Sequence, residues 1–301
     1  MRTPNWFLKK NMMSKALLPL SAVYWLVGKT VFIIRHFGQK KPKTPVICVG
    51  GLLAGGTGKT PIVREIAKRL SGSVVVMRGY KGGDEAKMLL SSGIPVITGA
   101  DRKKSIDAAE KAGRKHIIMD DGFQNPTVKK YKSILVFDGK IGVGNGFMLP
   151  AGPLREPVRA GIRRADAVII IGDRNQGISE IAKRYKKPVF SAKNRAVNPG
   201  ISSNVFAFAG IGYPQKFFTS VGGMAGMEIV GAESFPDHHM YSARDMEKII
   251  RNAGDLGADY IVTTEKDWVR LSPEYQERID FIPLETTIED GFWKWLPLKK
   301  K

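Results

Sequence analysis

The chain has 301 residues, of which 43% are hydrophobic and 25% charged, a composition that excludes a disordered protein and allows two folded domains. Its formal net charge of +20 indicates an anionic partner: a phosphorylated substrate, an anionic lipid surface or a nucleic acid. The single cysteine excludes disulfides within the chain, and the sequence lacks both zinc-finger spacing and a basic RNA-reading motif with interleaved aromatic residues.

The first predicted element is a helix in the apolar segment of residues 16–34. Three lysines precede this segment, and a basic stretch, residues 35–43, follows it. Lys29 interrupts a run that would otherwise approach the ~20 apolar residues needed to span a bilayer, and no small-residue cleavage site of a signal peptide follows. For residues 1–43 we therefore predict a membrane-associated helix at an anionic membrane surface, with a buried helix of a protein core as the alternative.

A glycine-rich loop follows the apolar run of residues 46–49 and reads Gly-Gly-Thr-Gly-Lys-Thr-Pro at residues 55–61. Small residues let backbone N–H groups converge on an anion, and a helix predicted from Pro61 onward directs its positive dipole end toward that anion. The strict phosphate-loop pattern has glycine at the position of Leu53, so the match fails at one residue. The order of strand, loop, Lys-Thr and helix still favours a nucleotide site over an ordinary glycine-rich turn.

We assign nucleotide binding to the seven residues of this loop: Gly55, Gly56, Thr57, Gly58, Lys59, Thr60 and Pro61. In such a loop the lysine meets the β- and γ-phosphates of the nucleotide, which is the role expected of Lys59. The hydroxyl of Thr60 is expected on the nucleotide-bound Mg²⁺.

Short apolar runs alternate with helical patterns from residue 46 to residue 171. The predicted strands are residues 46–49, 74–77, 96–98, 116–119, 134–137 and 167–171, and the predicted helices between several of them are residues 61–70, 86–91 and 101–112. This rhythm predicts an α/β fold with a mainly parallel sheet and helices on both faces. We expect this core to span residues 44–194.

Two acidic residues follow the flexible stretch of residues 78–83. On such a loop, either Asp84 or Glu85 can accept a proton from a substrate hydroxyl. Capping of the helix predicted from Ala86 is the alternative role, and the sequence pattern does not choose between the two.

A second acidic pair, Asp120 and Asp121, comes directly after the apolar strand that ends at Met119. A carboxylate at the carboxyl end of a strand beside a phosphate loop lies where a nucleotide-bound Mg²⁺ needs a second anchor. An Asp-Asp-Gly sequence is more often a surface turn, but its position after a buried strand favours the metal.

The segment of residues 150–157 is too rich in proline for a helix and carries Arg155 and Glu156 on a constrained loop. Arg155 can neutralise charge that develops on a transferred phosphoryl group. An Arg–Glu surface pair is the alternative.

A stretch rich in Asn, Pro, Gly and Ser, residues 194–203, predicts a linker. Beyond it, apolar runs and helical patterns predict a smaller α/β domain, residues 195–301, whose last residues can pack back on the core. This domain contains His238 and His239, which make a weak metal site by themselves and are typical of an exposed turn. Pairing of Asp237 with a histidine can instead tune a general base.

Eight motifs, taken in chain order, resemble those of the tetraacyldisaccharide 4'-kinases, the lipid A 4'-kinases of Gram-negative bacteria. They are G-G-T-G-K-T-P (55–61), R-G-Y (78–80), G-D-E (83–85), D-D-G-F-Q (120–124), G-N-G and L-P-A-G-P-L-R-E-P (144–157), F-A-G-I-G-Y-P (208–214), F-P-D-H (235–238) and T-E-K-D (264–267). No single motif is decisive, but the ordered set is highly specific, and the apolar N-terminus fits the same family.

The resemblance implies that ATP, with Mg²⁺, phosphorylates the 4'-hydroxyl of a tetraacylated disaccharide 1-phosphate at the cytoplasmic face of the inner membrane. It also implies a P-loop NTPase-like core, a smaller second α/β domain that closes over the nucleotide, and an N-terminal membrane-associated helix. By position it assigns catalysis to Lys59, Asp84, Arg155 and His238, and metal binding to Thr60, Asp120, Asp121 and Glu156. In this assignment Asp84 is the base and His238 assists it.

Two departures from the family pattern are present. Asn125 stands where the acidic motif usually continues with histidine, which puts a role for that histidine in doubt, and the segment between Tyr80 and Gly83 is short. A nucleotide-dependent nucleic-acid-binding protein and a membrane-associated nucleotide switch are the rival hypotheses, the first favoured by the charge and the loop. We expect a monomer that binds a lipid disaccharide and an anionic membrane, and no nucleic acid.

Overall fold

The computed structural model describes residues 5–55, 58–79, 83–173 and 175–296. The chain forms two compact units. The larger unit comprises residues 3–80, 89–194 and 286–301, and the smaller unit comprises residues 1–2, 81–88 and 195–285. Compared with the ranges expected from the sequence, residues 81–88 group with the smaller unit and residues 286–301 with the larger one.

The strands are short, as is usual for an α/β fold. They are β1 (Val46–Gly50), β2 (Ser73–Met77), β3 (Val96–Thr98), β4 (His116–Asp120), β5 (Lys132–Asp138), β6 (Ala167–Ile171), β7 (Val189–Ala196), β8 (Asn204–Ala209), β9 (Glu228–Ser234), β10 (Tyr260–Thr264), β11 (Asp280–Ile282) and β12 (Leu284–Ile288). The helices, after a 3₁₀ turn at Asn5–Phe7, are α1 (Met12–Ala16), α2 (Leu18–His36), α3 (Lys59–Arg69), α4 (Asp84–Ser91), α5 (Arg102–Lys111), α6 (Val158–Arg164), α7 (Gln176–Arg184), α8 (Pro214–Gly222), α9 (Ala243–Asp255), α10 (Glu265–Trp268), α11 (Pro273–Gln276) and α12 (Asp290–Trp295).

One sheet contains eight strands in the order β12-β7-β6-β5-β1-β4-β2-β3. The pairings from β7 to β3 are all parallel, which confirms the predicted mainly parallel sheet. At its centre, β1 pairs with β4 so that Val46 lies opposite Ile117 and Val49 opposite Asp120. Because parallel strands end at the same edge, this register places the chain after β1 beside the chain after β4.

The core of the larger unit explains why these segments are strands. Every residue of β1, β2 and β6 is buried, and their runs of Val and Ile are typical of strands covered on both faces. Cys48 lies fully buried in β1, and its burial raises the pKa of the thiol to about 11. The cysteine is therefore a packed apolar side chain.

The smaller unit contains a parallel sheet of four strands in the order β11-β10-β8-β9. Alternate residues of β8 point to opposite faces, so that Phe206 and Phe208 pack with Met246 and Ile249 of α9. On the other face, Val205 and its neighbours pack against α8. Two apolar layers thus enclose the sheet, as expected for an α/β unit.

Helix α2 of the larger unit is apolar and largely exposed. Within Leu18–His36, all of which the structure describes, Ser21 is the buried residue, and its hydroxyl donates to the Met148 carbonyl at 2.8 Å and accepts from the Ala151 N–H at 3.1 Å. The exposed apolar side chains are Leu18, Leu20, Val23, Tyr24, Leu26, Val27, Val31, Ile33 and Ile34. By length and composition this helix is able to cross a membrane, and it is the one such helix in the described part of the chain.

Several boundaries differ from the sequence-based expectation. Helix α3 begins at Lys59 rather than at Pro61, because Gly58 already supplies the turn that starts it. Strand β7 extends to Ala196 and so takes up the first residues of the predicted linker. The strand was not predicted because its exposed residues break the apolar pattern on which strand prediction depends; these are Lys193, Asn194 and Arg195.

Candidate active site

The phosphate loop leads directly into α3. Gly58, the residue before the helix, has φ of +72°, and a Cβ there would lie 2.7 Å from Cδ1 of Ile171. Gly55 also has positive φ, at +127°. Lys59 and Thr60 are the first two residues of α3, and Pro61 is the third, where the missing N–H costs no helical hydrogen bond. Gly56 and Thr57, also assigned to the nucleotide, lie outside the described residues.

The side chain of Asp121 joins the phosphate loop to the proline-rich loop. Its Oδ1 lies 3.6 Å from Nζ of Lys59, and Nη1 of Arg155 donates to both of its oxygens at 2.9 and 3.0 Å. Asp121 has φ of +50°, a conformation rare for residues other than glycine, and its N–H donates to the Val49 carbonyl at 2.9 Å. A lysine, an arginine and a carboxylate are thus held together where the nucleotide is expected.

Asp120 is the last residue of β4 and is 5% exposed. Its backbone carbonyl accepts a hydrogen bond from Nη2 of Arg102 at 3.1 Å, and Nη1 of the same arginine lies 3.4 Å from the Gly99 carbonyl. The buried Arg102 therefore fixes the end of β4, from which the two aspartates project.

Backbone hydrogen bonds place the proline-rich loop beside the phosphate loop. The Arg155 N–H donates to the Leu52 carbonyl at 2.7 Å, and the Ala54 N–H donates to the Pro153 carbonyl at 2.8 Å. Arg155 is therefore positioned by the same chain segment that leads into the nucleotide loop. The alternative of an Arg–Glu surface pair is not what the structure contains, because Arg155 pairs with Asp121 instead.

Glu156 belongs to a second set of contacts. It is buried, and its Oε1 accepts from Nε2 of Gln124 at 3.0 Å and from Nη2 of Arg164 at 3.1 Å. The guanidinium of Arg164 lies between two rings, 4.6 Å from the centroid of Phe123 and 4.8 Å from that of Phe32 in α2. Gln124 also receives a hydrogen bond from Arg155 at 3.3 Å, so the two sets are continuous.

Asn125, which stands in place of the expected histidine, forms a local turn. Its Oδ1 accepts from both the N–H and the hydroxyl of Thr127, at 2.8 and 2.7 Å. Its carbonyl accepts from the ammonium group of Lys130. Asn125 is thus occupied with shaping the chain after the acidic motif, a common use of asparagine.

The remaining candidates, Asp84 and His238, lie together in the smaller unit. Nδ1 of His238 is 3.5 Å from Oδ2 of Asp84, and His238 has φ of +63°. Arg270 donates to the same Oδ2 through Nε at 2.8 Å and Nη2 at 2.7 Å. Asp84 is 6% exposed, whereas the side chain of His238 is 55% exposed, so the histidine lies between the buried carboxylate and solvent.

The environment of Asp84 acts on its pKa in two directions. Burial raises this pKa, whereas the hydrogen bonds and charge of Arg270, followed by the charges of His238 and Lys266, lower it. The net result is a pKa below the ordinary value for aspartate, so Asp84 is ionised at neutral pH. The carboxylate can therefore accept a proton.

Sequence reasoning missed Arg164 and Arg270. Gln124 belongs to one of the motifs, but the sequence assigns it no role. Both arginines lie outside the eight motifs and have no short-range pattern that points to a site. Their carboxylate partners, which depend on tertiary structure, identify both arginines, and Arg270 is in addition buried.

The acidic residues of the larger unit fit a magnesium ion that arrives with a nucleotide. Asp120 and Asp121 offer hard oxygen ligands, and Mg²⁺ usually takes one or two carboxylates together with phosphate oxygens and water. Among the described residues no group of three or more His, Cys, Asp and Glu side chains could hold a metal. The two carboxylates beside the phosphate loop therefore fit an ion that is held jointly with phosphates.

Known proteins resemble the chain over nearly its whole length. A family model described as tetraacyldisaccharide-1-P 4'-kinase matches residues 13–91 and 81–300. A tetraacyldisaccharide 4'-kinase of Paramagnetospirillum magneticum is 37% identical over 93% of this chain and 92% of the relative. One of Parvibaculum lavamentivorans is 42% identical over 86% of this chain and 82% of the relative.

A solved structure, LpxK from Aquifex aeolicus in complex with ATP, matches with a TM-score of 0.76 and 27% identity. The match covers 94% of this chain and 97% of that protein. The fold predicted from the sequence and the suspected family are thereby confirmed. Since the family model and the relatives both extend over most of the residues, the chain belongs to the tetraacyldisaccharide-1-P 4'-kinase family.

Proposed function

We propose that this protein transfers the γ-phosphate of ATP to the 4'-hydroxyl of tetraacyldisaccharide 1-phosphate, a step of lipid A biosynthesis. The observation that carries the proposal is the convergence of Lys59, Asp121 and Arg155 at the start of α3, in a chain of this family. The positive charges of Lys59 and Arg155 suit a triphosphate, because phosphoryl transfer depends mainly on positioning and on neutralisation of the phosphate oxygens.

ATP is proposed to lie on residues 55–61, with its phosphates at the N-terminus of α3. Lys59 would bind the β- and γ-phosphates, and Arg155 would bind the γ-phosphate as it moves to the acceptor. Thr60, Asp120 and Asp121 would hold Mg²⁺, which neutralises phosphate charge when bound. Glu156 was also assigned to the metal; its contacts with Gln124 and Arg164 support a part in holding the loop that carries Arg155.

Asp84 is the proposed general base for the acceptor hydroxyl, with His238 as its partner. The proposal is supported by their 3.5 Å separation, by the burial of Asp84 and by its lowered pKa, which keeps the carboxylate ionised. Glu85 follows Asp84 within the first turn of α4, where a negative charge suits the positive end of the helix dipole.

We further propose that the protein works as a monomer at the cytoplasmic face of the inner membrane, with α2 against the bilayer. The exposed apolar side chains of α2 and the basic residues around it, including Lys29 and Arg35, suit an anionic interface. The acyl chains of the lipid substrate would then stay in the bilayer while its sugar reaches the site.

The decisive experiment is a transfer assay with labelled ATP, Mg²⁺ and the lipid disaccharide in detergent or vesicles. Lys59→Ala is expected to lower turnover at least 100-fold while the protein stays folded, because it removes transition-state charge stabilisation. Lys68→Ala, an exposed lysine of the same helix, is the matched control and should keep wild-type turnover. Equal turnover of wild type and Lys59→Ala would refute the proposal.

The adjacent acids allow a second comparison in the same assay. Asp84→Asn is expected to lower kcat about 100-fold with little effect on ATP binding, whereas Glu85→Gln should change kcat less than threefold. The reverse order would make Glu85 the base. Stimulation of ATP hydrolysis by polynucleotide, without transfer to the disaccharide, would support the nucleic-acid-binding alternative instead.

A further inference from the structure

Three motifs of the smaller unit, at residues 208–214, 235–238 and 264–267, have no role in nucleotide binding as proposed above. The structure brings one residue from each close to Arg270, namely Gly210, His238 and Asp267. The side chain of Arg270 is 1% exposed, and a buried guanidinium is costly unless each of its donors has a partner.

The N–H groups of Arg270 donate hydrogen bonds to two carboxylates and to one carbonyl. Nε and Nη2 donate to Oδ2 of Asp84 at 2.8 and 2.7 Å, and Nη2 also lies 3.2 Å from Nδ1 of His238. Nη1 donates to Oδ1 of Asp267 at 2.9 Å and to the Gly210 carbonyl at 3.3 Å. Both contacts with Asp84 therefore end on the same oxygen.

Asp267 holds the far side of the guanidinium. It is fully buried, and its Oδ2 accepts from the Thr264 hydroxyl at 2.6 Å and from the Gly210 N–H at 3.0 Å. A Cβ on Gly210 would lie 2.9 Å from the Tyr241 hydroxyl and 3.0 Å from Oδ1 of Asp267, so a side chain there would require these groups to shift. The Gly210 carbonyl also accepts from the His238 N–H at 3.1 Å, which ties His238 to the same point.

We propose that Arg270 is a positioning residue for Asp84: it holds Oδ2 of the carboxylate so that Oδ1 is directed to the acceptor hydroxyl, and Asp267 fixes it in that orientation. This inference rests on the proposed function, in which the acceptor O–H bond breaks as its oxygen bonds to the γ-phosphorus. The proton passes to Asp84, and the bond from the γ-phosphorus to ADP breaks with its electron pair leaving on ADP. Because such transfer is loose, an oriented carboxylate serves better than a strong base.

The test compares Arg270→Lys and Arg270→Gln with wild type. Arg270→Lys keeps the charge but loses the planar fork, so kcat should fall about 10- to 100-fold while the KM for ATP changes less than twofold. Arg251→Gln, an exposed arginine of α9 in the same unit, is the control and should keep wild-type kcat. Circular dichroism and thermal unfolding establish that each variant is folded.

The pH profile separates positioning from a merely structural role. The charged and titratable groups around Asp84 are Arg270, His238 and Lys266, with Asp267 and Asp237 beyond them. Arg270 lowers the pKa of Asp84, so its removal in Arg270→Gln should raise that pKa and move the acid limb of kcat to higher pH. Arg270→Lys, which keeps a positive charge, should move it less.

A double-mutant cycle and a carboxyl titration complete the test. If Arg270 acts through Asp84, Arg270→Lys should change kcat less than threefold in an Asp84→Asn background. The ¹³C signal of the Asp84 carboxyl, identified by its loss in Asp84→Asn, should titrate at higher pH in Arg270→Gln than in wild type. This readout needs no turnover, so it tests the inference even if the disaccharide is not a substrate.

The inference is overturned if Arg270→Lys lowers kcat by the same factor in the wild-type and Asp84→Asn backgrounds. It is also overturned if the carboxyl of Asp84 titrates at the same pH in a folded Arg270→Gln protein as in wild type. If Arg270→Gln does not fold, the Arg270→Lys cycle decides. If the wild-type protein transfers no phosphate to the disaccharide but the Asp84 titration shifts as expected in Arg270→Gln, only the proposed function is refuted.

Discussion

Gly58 carries two constraints at a single residue. Its φ of +72° is a left-handed conformation that costs other residues ~1–2 kcal/mol, and the side chain of Ile171 fills the space where a Cβ would be. Gly93 has nearly the same φ, +73°, but nothing lies within 4 Å of a Cβ placed there. A comparison of Gly58 with Gly93 therefore separates the free-energy cost of a left-handed backbone from the cost of the clash with Ile171.

We predict that Gly58→Ala destabilises the protein by more than Gly93→Ala, which should cost ~1 kcal/mol. Urea unfolding measures the difference, and calorimetry should find weaker ATP binding for Gly58→Ala only. Ile171→Val removes the clashing Cδ1, so it should recover part of the loss in the double variant. Equal destabilisation by the two alanines would mean that Ile171 moves aside without cost.

At this scale, sequence reasoning succeeded where residues lie close together in the chain. Lys59, Asp84 and Asp121 were selected by local patterns, and each lies within a cluster of charged side chains in its own unit. Their catalytic and metal roles remain predictions. Arg270 could not be found in this way, because its partners are 3, 32, 60 and 186 residues away along the chain.

Among the secondary-structure elements, the strands with long apolar runs were predicted with the most accurate bounds. Strands β3 and β6 have the predicted bounds, and β1, β2, β4 and β5 differ by a few residues. Helix α6 was missed because it begins right after Pro157 and has only seven residues, too few for a helical period to be recognised. Short elements near the end, such as β11 and α11, were missed for the same reason.

Helix α9 begins with a capping box whose strength depends on pH. Asp245 and Ser242 exchange hydrogen bonds, and His239 lies 3.1 Å from the Asp245 carboxylate. The hydrogen bonds from the Ser242 hydroxyl and N–H lower the pKa of Asp245 to about 2. A carboxyl whose pKa is lowered on folding stabilises the fold above its ordinary pKa, near 4, and loses that contribution as pH falls toward 2.

We predict that Asp245→Asn lowers the free energy of unfolding by about 1 kcal/mol at pH 7 and by roughly half as much at pH 3. Urea unfolding at the two pH values measures this. Asp255→Asn is the control, because that aspartate ends the same helix, where a negative charge gains nothing from the dipole. A difference that stays constant between pH 7 and pH 3 would contradict the assignment.

For the molecule as a whole, charge and the apolar helix make separable contributions to membrane binding. The net charge of +20 attracts an anionic surface, and that attraction is screened by salt. Insertion of apolar side chains from α2 is far less sensitive to salt. The nucleic-acid hypothesis shares only the first contribution.

We predict that the protein binds anionic vesicles in 0.1 M salt and keeps part of that binding in 0.5 M salt. Changing Val23, Leu26 and Ile34 of α2 to Gln should lower the binding that remains at high salt at least tenfold. The reason is that the variant buries less apolar surface in the bilayer. The control changes the exposed Leu90, Met240 and Leu256 to Gln and should have no effect. Sedimentation with vesicles measures both, and unchanged binding of the α2 variant would contradict an interfacial role.

Because the single cysteine, Cys48, is fully buried, the native protein presents no exposed thiol to maleimide reagents. No other cysteine exists in the chain, and a thiol with a pKa of about 11 inside a strand does not react at neutral pH. A pair of cysteines introduced on exposed positions, one in each unit, would therefore accept fluorescent dyes without removal of the native residue. Energy transfer between the dyes would then follow any movement of the two units during turnover in an otherwise natural protein.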